Sequence, residues 1–133
     1  MEDIIEALRE NALDVPTSIP LPNEDDLVNV EEEILIPLPY DLREFLLQVS
    51  DVVYGSLEPV TITDPHAHTH LPEVASQAWS IFVPRHLIPI CQEGNSYYCI
   101  SADGEICHWS QEGQSEQTWS SIWQWASNVW LQS

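Results

Sequence analysis

A chain of 133 residues with 44% hydrophobic and 19% charged side chains carries enough apolar material for one buried core, which excludes a disordered polypeptide. Its 22 acidic residues face three arginines and no lysine, for a net charge of −19. That imbalance excludes nucleic-acid phosphates and anionic membrane surfaces as partners and points to a basic protein, toward which long-range attraction speeds association. The three cysteines, Cys91, Cys99 and Cys107, are odd in number in a chain large enough to do without staples, the N-terminus has no basic signal region, and no apolar run nears a membrane span. The expectation is one cytoplasmic domain over residues 1–133, with a helix and a Pro-rich connection over 1–22 and the core over 23–131.

In chain order, Ile4, Ile5, Leu8 and Ala12 fall on one stripe and predict a first helix over 2–11. Pro16, Pro20 and Pro22 then impose an extended connection. Asn23 is a good N-cap, and Glu24, Asp25 and Asp26 suit the positive end of a helix running to about Leu35, with Leu27, Val30 and Ile34 inward. Glu31, Glu32 and Glu33 are expected mostly outside. Ile36 to Pro39 breaks that helix. Leu42, Phe45, Leu46 and Val49 follow the i, i+3, i+4, i+7 pattern and predict a third helix from Pro39. A short strand over Pro59–Ile62, a loop holding His66, His68 and His70, and a helix over Pro72–Trp79 come next.

The second half reads as a meander: strands at 86–91, 97–101 and 105–109, with Pro89 demanding an edge or a bulge in the first of them. Asp103-Gly104 is a two-residue hairpin signal. It would pair Ala102 with Glu105, Ile100 with Cys107 and Tyr98 with Trp109, and set Cys99 beside His108. A closing helix over Thr118–Leu131 would turn Trp119, Ile122, Trp123, Ala126 and Trp130 inward and leave Trp125 at the margin.

This order of elements resembles the SUKH superfamily, which includes the fungal cell-wall assembly regulator and bacterial immunity proteins. The likeness runs from Asn23 to Leu131 and rests on four places: the acidic helix leading through Glu31 and Leu35 to Leu38-Pro39; the segment Leu38-Pro39-Tyr40-Asp41-Leu42-Arg43-Glu44-Phe45-Leu46; Leu87-Ile88-Pro89-Ile90 followed by Gly94, Tyr98, Asp103-Gly104 and Trp109; and the closing helix with Ile122 and Trp123. Ser50 to Gly55 departs from the Asn-Gly-Gly that family members often carry there. The resemblance implies an α+β fold, a largely antiparallel mixed sheet backed by helices. It also implies neutralisation of a cognate toxin, often a nuclease or deaminase, by direct binding. The eukaryotic relatives suggest a regulatory or adaptor module instead.

Three groups of side chains carry candidate chemistry. His66, His68 and His70, spaced by two, could hold Zn²⁺ on an extended stretch, but loops rarely fix such rings without supporting partners, so a solvated loop and no metal is the expectation. Cys99 and His108 lack an orienting third group and read as a packing pair, not a nucleophile; no cofactor and no catalytic residue is expected. The carboxylates are the leading functional group, although for any one of them a merely solvated face is the simpler reading. Asp25, Asp26, Glu31, Glu32 and Glu33 form one candidate partner-binding set, and Glu93, Asp103, Glu105 and Glu112 another, with Trp125 as an aromatic anchor. Replacing Glu31, Glu32 and Glu33 by lysine is expected to spare the fold and weaken binding. Neither the identity of the partner nor the oligomeric state is written in the sequence.

Overall fold

Helices come first in the computed structural model, which describes residues 1–16 and 19–133. Thr17 and Ser18, in the middle of the Pro-rich connection, lie outside the described residues. Helix α1, Glu2–Asn11, buries Leu8 completely and sets Glu2 and Asp3 at its positive end. Helix α2, Glu24–Ile34, opens on a full capping box: the Asn23 side chain accepts from the Asp26 N–H at 2.9 Å, and the Asp26 carboxylate accepts from the Asn23 N–H at 2.9 Å. Leu27, Val30 and Ile34 point inward, as the helical period requires. Helix α3, Tyr40–Val49, starts directly after Pro39 and buries Leu42, Phe45, Leu46 and Val49. Helix α4, Leu71–Ile81, reaches beyond both ends of the predicted 72–79.

The predicted strand at Pro59–Ile62 reduces to two isolated bridges, Pro59 with Cys91 and Thr61 with His70, the latter parallel. Strands β1 (Ile88–Glu93), β2 (Ser96–Ile100), β3 (Ile106–Ser110) and β4 (Gly113–Trp119) form an antiparallel sheet in the order β1-β2-β3-β4. Pro89 meets both of its expectations: it lies on an edge strand, and the register shifts between Pro89 and Cys91.

The β2–β3 register differs by one residue from the predicted one. Tyr98 pairs with His108, Cys99 with Cys107 and Ile100 with Ile106. The loop holds three residues, not two. Ser101 N–H donates to the Glu105 carbonyl at 3.0 Å, Gly104 N–H donates to the Ser101 carbonyl at 3.0 Å, and Gly104 sits at φ +93°. This is a type I turn followed by a left-handed glycine, and the extra residue re-sorts the faces. Tyr98, Ile100, Ile106 and His108 share one face; Tyr97, Cys99, Cys107 and Trp109 share the other.

Both faces are covered. Tyr98 packs on Trp125 at 5.4 Å between ring centroids, and Tyr97 meets Phe82, just past α4, at 6.0 Å. The predicted closing helix is corrected at its start: residues 113–119 are β4, and helix α5 occupies only Ile122–Trp125, capped by the Ser121 side chain on the Gln124 N–H. A π-helical segment, Ala126–Trp130, completes the chain's last turn, with Leu131 N–H donating to the Ala126 carbonyl at 2.8 Å. The wider turn brings Trp125 and Trp130, five residues apart, onto one side with stacked rings 6.4 Å apart. Phe45 of α3 wedges against Trp123 and Trp130, each at 5.7 Å.

Candidate protein-binding surface

The cations settle what the surface can display. Arg9 of α1 pairs with Asp51 at 2.8 Å and donates to the Gln48 carbonyl. Arg43 of α3 reaches back to α2, with Nη2 2.7 Å from Glu24 and Nη1 2.9 Å from Glu31. Arg85 donates to the Ile34 carbonyl at the negative end of α2 and stacks 3.9 Å over the Trp79 ring. Each positive side chain therefore closes a contact inside the molecule. Among the described residues, ion pairs engage the carboxylates of Asp51, Glu24, Glu31 and Glu58 only. The other acids have no counter-charge of their own.

Within the first predicted set, two members hold the fold together. Asp26 is half of the capping box. Glu31 is half-buried: one oxygen accepts from the Leu38 N–H at 2.8 Å and the other meets Arg43. Reversing Glu31 would break the α2–α3 junction, so the expectation that lysine at all three of Glu31, Glu32 and Glu33 spares the fold is corrected. Asp25, Glu32 and Glu33 are exposed. In the second set, Glu93, Asp103, Glu105 and Glu112 all lie exposed on strand ends and turns. The Asp103 carboxyl is held below its ordinary 3.8, first by the Ser101 hydroxyl and then by the Glu105 N–H.

Trp125 is not at a margin. It is completely buried between Tyr98 and Trp130, because the strand at 113–119 and the π turn rotate the closing segment away from the predicted helical phase. It cannot touch a partner without unpacking the core.

The three histidines separate. His70 is buried at the head of α4, His68 lies 2.6 Å from Glu58, and His66 is exposed. The turn through 65–69 spreads rings that a straight strand would have aligned. Among the described residues there is no group of three His, Cys, Asp or Glu able to hold a metal ion. His108 faces Tyr98 at 4.6 Å and lies 2.9 Å from the Ser96 hydroxyl, so it is not the neighbour of Cys99. Burial pushes the Cys91 thiol up to about 12 and raises those of Cys99 and Cys107, the opposite of an activated nucleophile.

Sequence reasoning missed an apolar display between α2 and α3. Leu35 ends α2 in the left-handed conformation, at φ +63°, with 79% of its surface exposed. Tyr40, at the start of α3, is 68% exposed. Behind Leu35 lies a groove of about 800 Å³, floored by Ile88 and Ile100 and walled by Pro37, Pro39 and Ala102. The run Leu35-Ile36-Pro37 was a signal, since it places three apolar residues where a helix must end.

Arg9, Arg43 and Arg85 are each held by contacts within the chain, and the uncompensated groups on the surface of this acidic α+β module are carboxylates beside a few apolar side chains. The chain belongs to the SUKH family: the family model SUKH_5, described as SMI1-KNR4 cell-wall, matches residues 1–131. A solved crystal structure of a protein from Pseudomonas syringae pv. tomato is 55% identical, with a TM-score of 0.98 and full coverage of both chains. No curated protein matches. Among the described residues, no helix is long and apolar enough to cross a membrane.

Proposed function

We propose that this chain acts by binding, as an immunity protein that neutralises a basic toxin domain of the nuclease or deaminase type inside the producing cell. One observation carries the reading: a net charge of −19 meets a partner with no free arginine beside it, because Arg9 and Arg43 are paired with carboxylates and Arg85 is held by the Ile34 carbonyl and the Trp79 ring. A toxin that handles nucleic acid needs a cationic cleft for phosphates, and such a cleft is the complement of this surface. The bacterial source of the 55% identical neighbour favours the bacterial branch of the family. The buried, unactivated thiols and the scattered histidines supply no catalytic constellation.

The cell-wall association of the SMI1-KNR4 family favours a second reading, a regulatory adaptor with no toxin. Co-expression with a basic toxin domain from the same cell separates the two. An immunity protein restores growth and forms a stoichiometric complex whose association rate falls steeply with added salt, as charge steering is screened beyond about 8 Å at physiological ionic strength. Growth arrest despite full expression, with no complex, overturns the immunity reading.

A further inference from the structure

Leu35 is unfavourable twice over. A branched aliphatic side chain in the left-handed region costs on the order of 1 kcal/mol where glycine would cost nothing, and the same side chain is left in water. Nothing in the packing of α2 requires it, since the helix is closed by the Leu35 N–H on the Glu31 carbonyl, which any residue supplies. The strain holds the side chain out at the lip of the Pro37–Ala102 groove.

That groove does not stop at Ala102. A second depression shares His86, Ser101 and Ala102 with it and continues past Asp103 and Glu105 to Trp109. A third shares Arg85 with the first and is lined by Glu33 and Glu73. The three depressions adjoin at these shared residues, the apolar one between two whose carboxylates lie outside any ion pair, and together they are treated as one trough. Asp41 adds a further carboxylate beside the Gly104 turn: a methyl group on Gly104 would lie 3.6 Å from its Oδ2. Arg85, the one cation in the trough, is already occupied by Ile34 and Trp79.

The geometry points to this trough as the docking site for an extended segment of a basic protein, with apolar side chains seated between Leu35 and Ala102 and lysines or arginines at both ends. The inference rests on the reading of the chain as a binder of basic proteins and gives that reading a location. Charge selects the occupant. A second copy of this chain brings another −19 to the same place, and nucleic acid or an anionic vesicle is repelled in the same way. Carboxylates at both ends suit a cationic peptide, and the apolar middle selects against a purely polar one.

The test uses the ¹⁵N-labelled full chain at low ionic strength and three capped octapeptides of alternating sequence: Lys-Leu, Lys-Ser and Glu-Leu. The Lys-Leu peptide should shift the amides of Leu35, Ile36, Ala102 and Asp103 saturably, with Lys-Ser about tenfold or more weaker and Glu-Leu silent. Leu35→Gly should keep or raise the melting temperature yet lose about tenfold or more in Lys-Leu affinity. Ile81→Ser, which removes another exposed aliphatic outside the trough, should leave the affinity unchanged. Equal binding of Lys-Leu and Lys-Ser, or an unaffected Leu35→Gly variant, overturns the site. Saturable shifts confined to Glu112–Glu116 overturn the site and leave the basic-partner reading standing. No binding by either cationic peptide overturns both.

Discussion

Lysine at position 31 and lysine at position 32 should behave as opposites, although the two glutamates are adjacent and chemically identical. Glu31 holds the Leu38 N–H at 2.8 Å and the Arg43 guanidinium at 2.9 Å, so its loss removes two charge-assisted hydrogen bonds and orphans a backbone donor beside the buried Leu38. Hydrogen bonds to charged groups contribute about 1.5–3 kcal/mol each, less where water competes, and the site is only half-buried. A loss of about 2–3 kcal/mol is therefore expected for Glu31→Gln, and more for Glu31→Lys, which sets a cation against Arg43. At this chain length that corresponds to a fall in Tm of roughly 6–15 °C. Glu32 is exposed, and Glu32→Lys changes the net charge by two in a molecule at −19, so its expected change is within about 0.5 kcal/mol. Urea denaturation followed by tryptophan fluorescence measures both variants on one scale. Equal midpoints for Glu31→Lys and Glu32→Lys would refute the assignment of Glu31 to the α2–α3 junction.

Three further outcomes follow from the same structure. Burial lowers the His108 pKa below its ordinary 6.5, with the Glu93 carboxylate opposing. The unfolded chain therefore takes up this proton first, and stability is lost as pH falls through 6.5 toward the folded value; His108→Gln should flatten that limb of the stability–pH profile, and an unchanged limb would count against it. Iodoacetamide at neutral pH should leave Cys91, Cys99 and Cys107 unlabelled in the native protein and label all three in denaturant; rapid native labelling, read by mass spectrometry, would contradict their burial. Trp125→Ala should destabilise by about 3–5 kcal/mol, since it empties a fully buried site, and calorimetry showing a shift of under 1 kcal/mol would place Trp125 elsewhere.

The helices were legible because each carries its own punctuation: Asn23 with Asp26, Pro39 before Leu42-Phe45-Leu46-Val49, Pro72 in the first turn. Strand β4 was not, because Gly113-Gln-Ser-Glu-Gln-Thr-Trp119 lies on the sheet's edge with few buried positions, and a strand with no core face leaves no alternation to read. The register of β2 and β3 was missed for a different reason. Asp103-Gly104 suits a two-residue turn and the left-handed end of a three-residue one equally well, and only the Ser101–Glu105 closure decides. At the candidate site, composition identified the acidic character, but the carboxylates tied up in caps and junctions, Asp26 and Glu31, look identical in sequence to the free ones. Leu35 was passed over because a helix-breaking segment draws attention to its prolines and away from the residue placed just before them.

The anchoring of every arginine also makes the molecule its own reporter of local opening. With no lysine, trypsin can cut only after Arg9, Arg43 and Arg85, and each of these side chains is clasped at a different place: the Asp51 turn, the Glu24 and Glu31 carboxylates on α2, and the Ile34 carbonyl at the end of α2 with Trp79. A native-state digest thus yields three distinguishable nicks. Their relative rates rank how readily α1, α3 and the segment before β1 come loose, and a protein seated between Leu35 and Ala102 would slow the cut at Arg85 ahead of the other two.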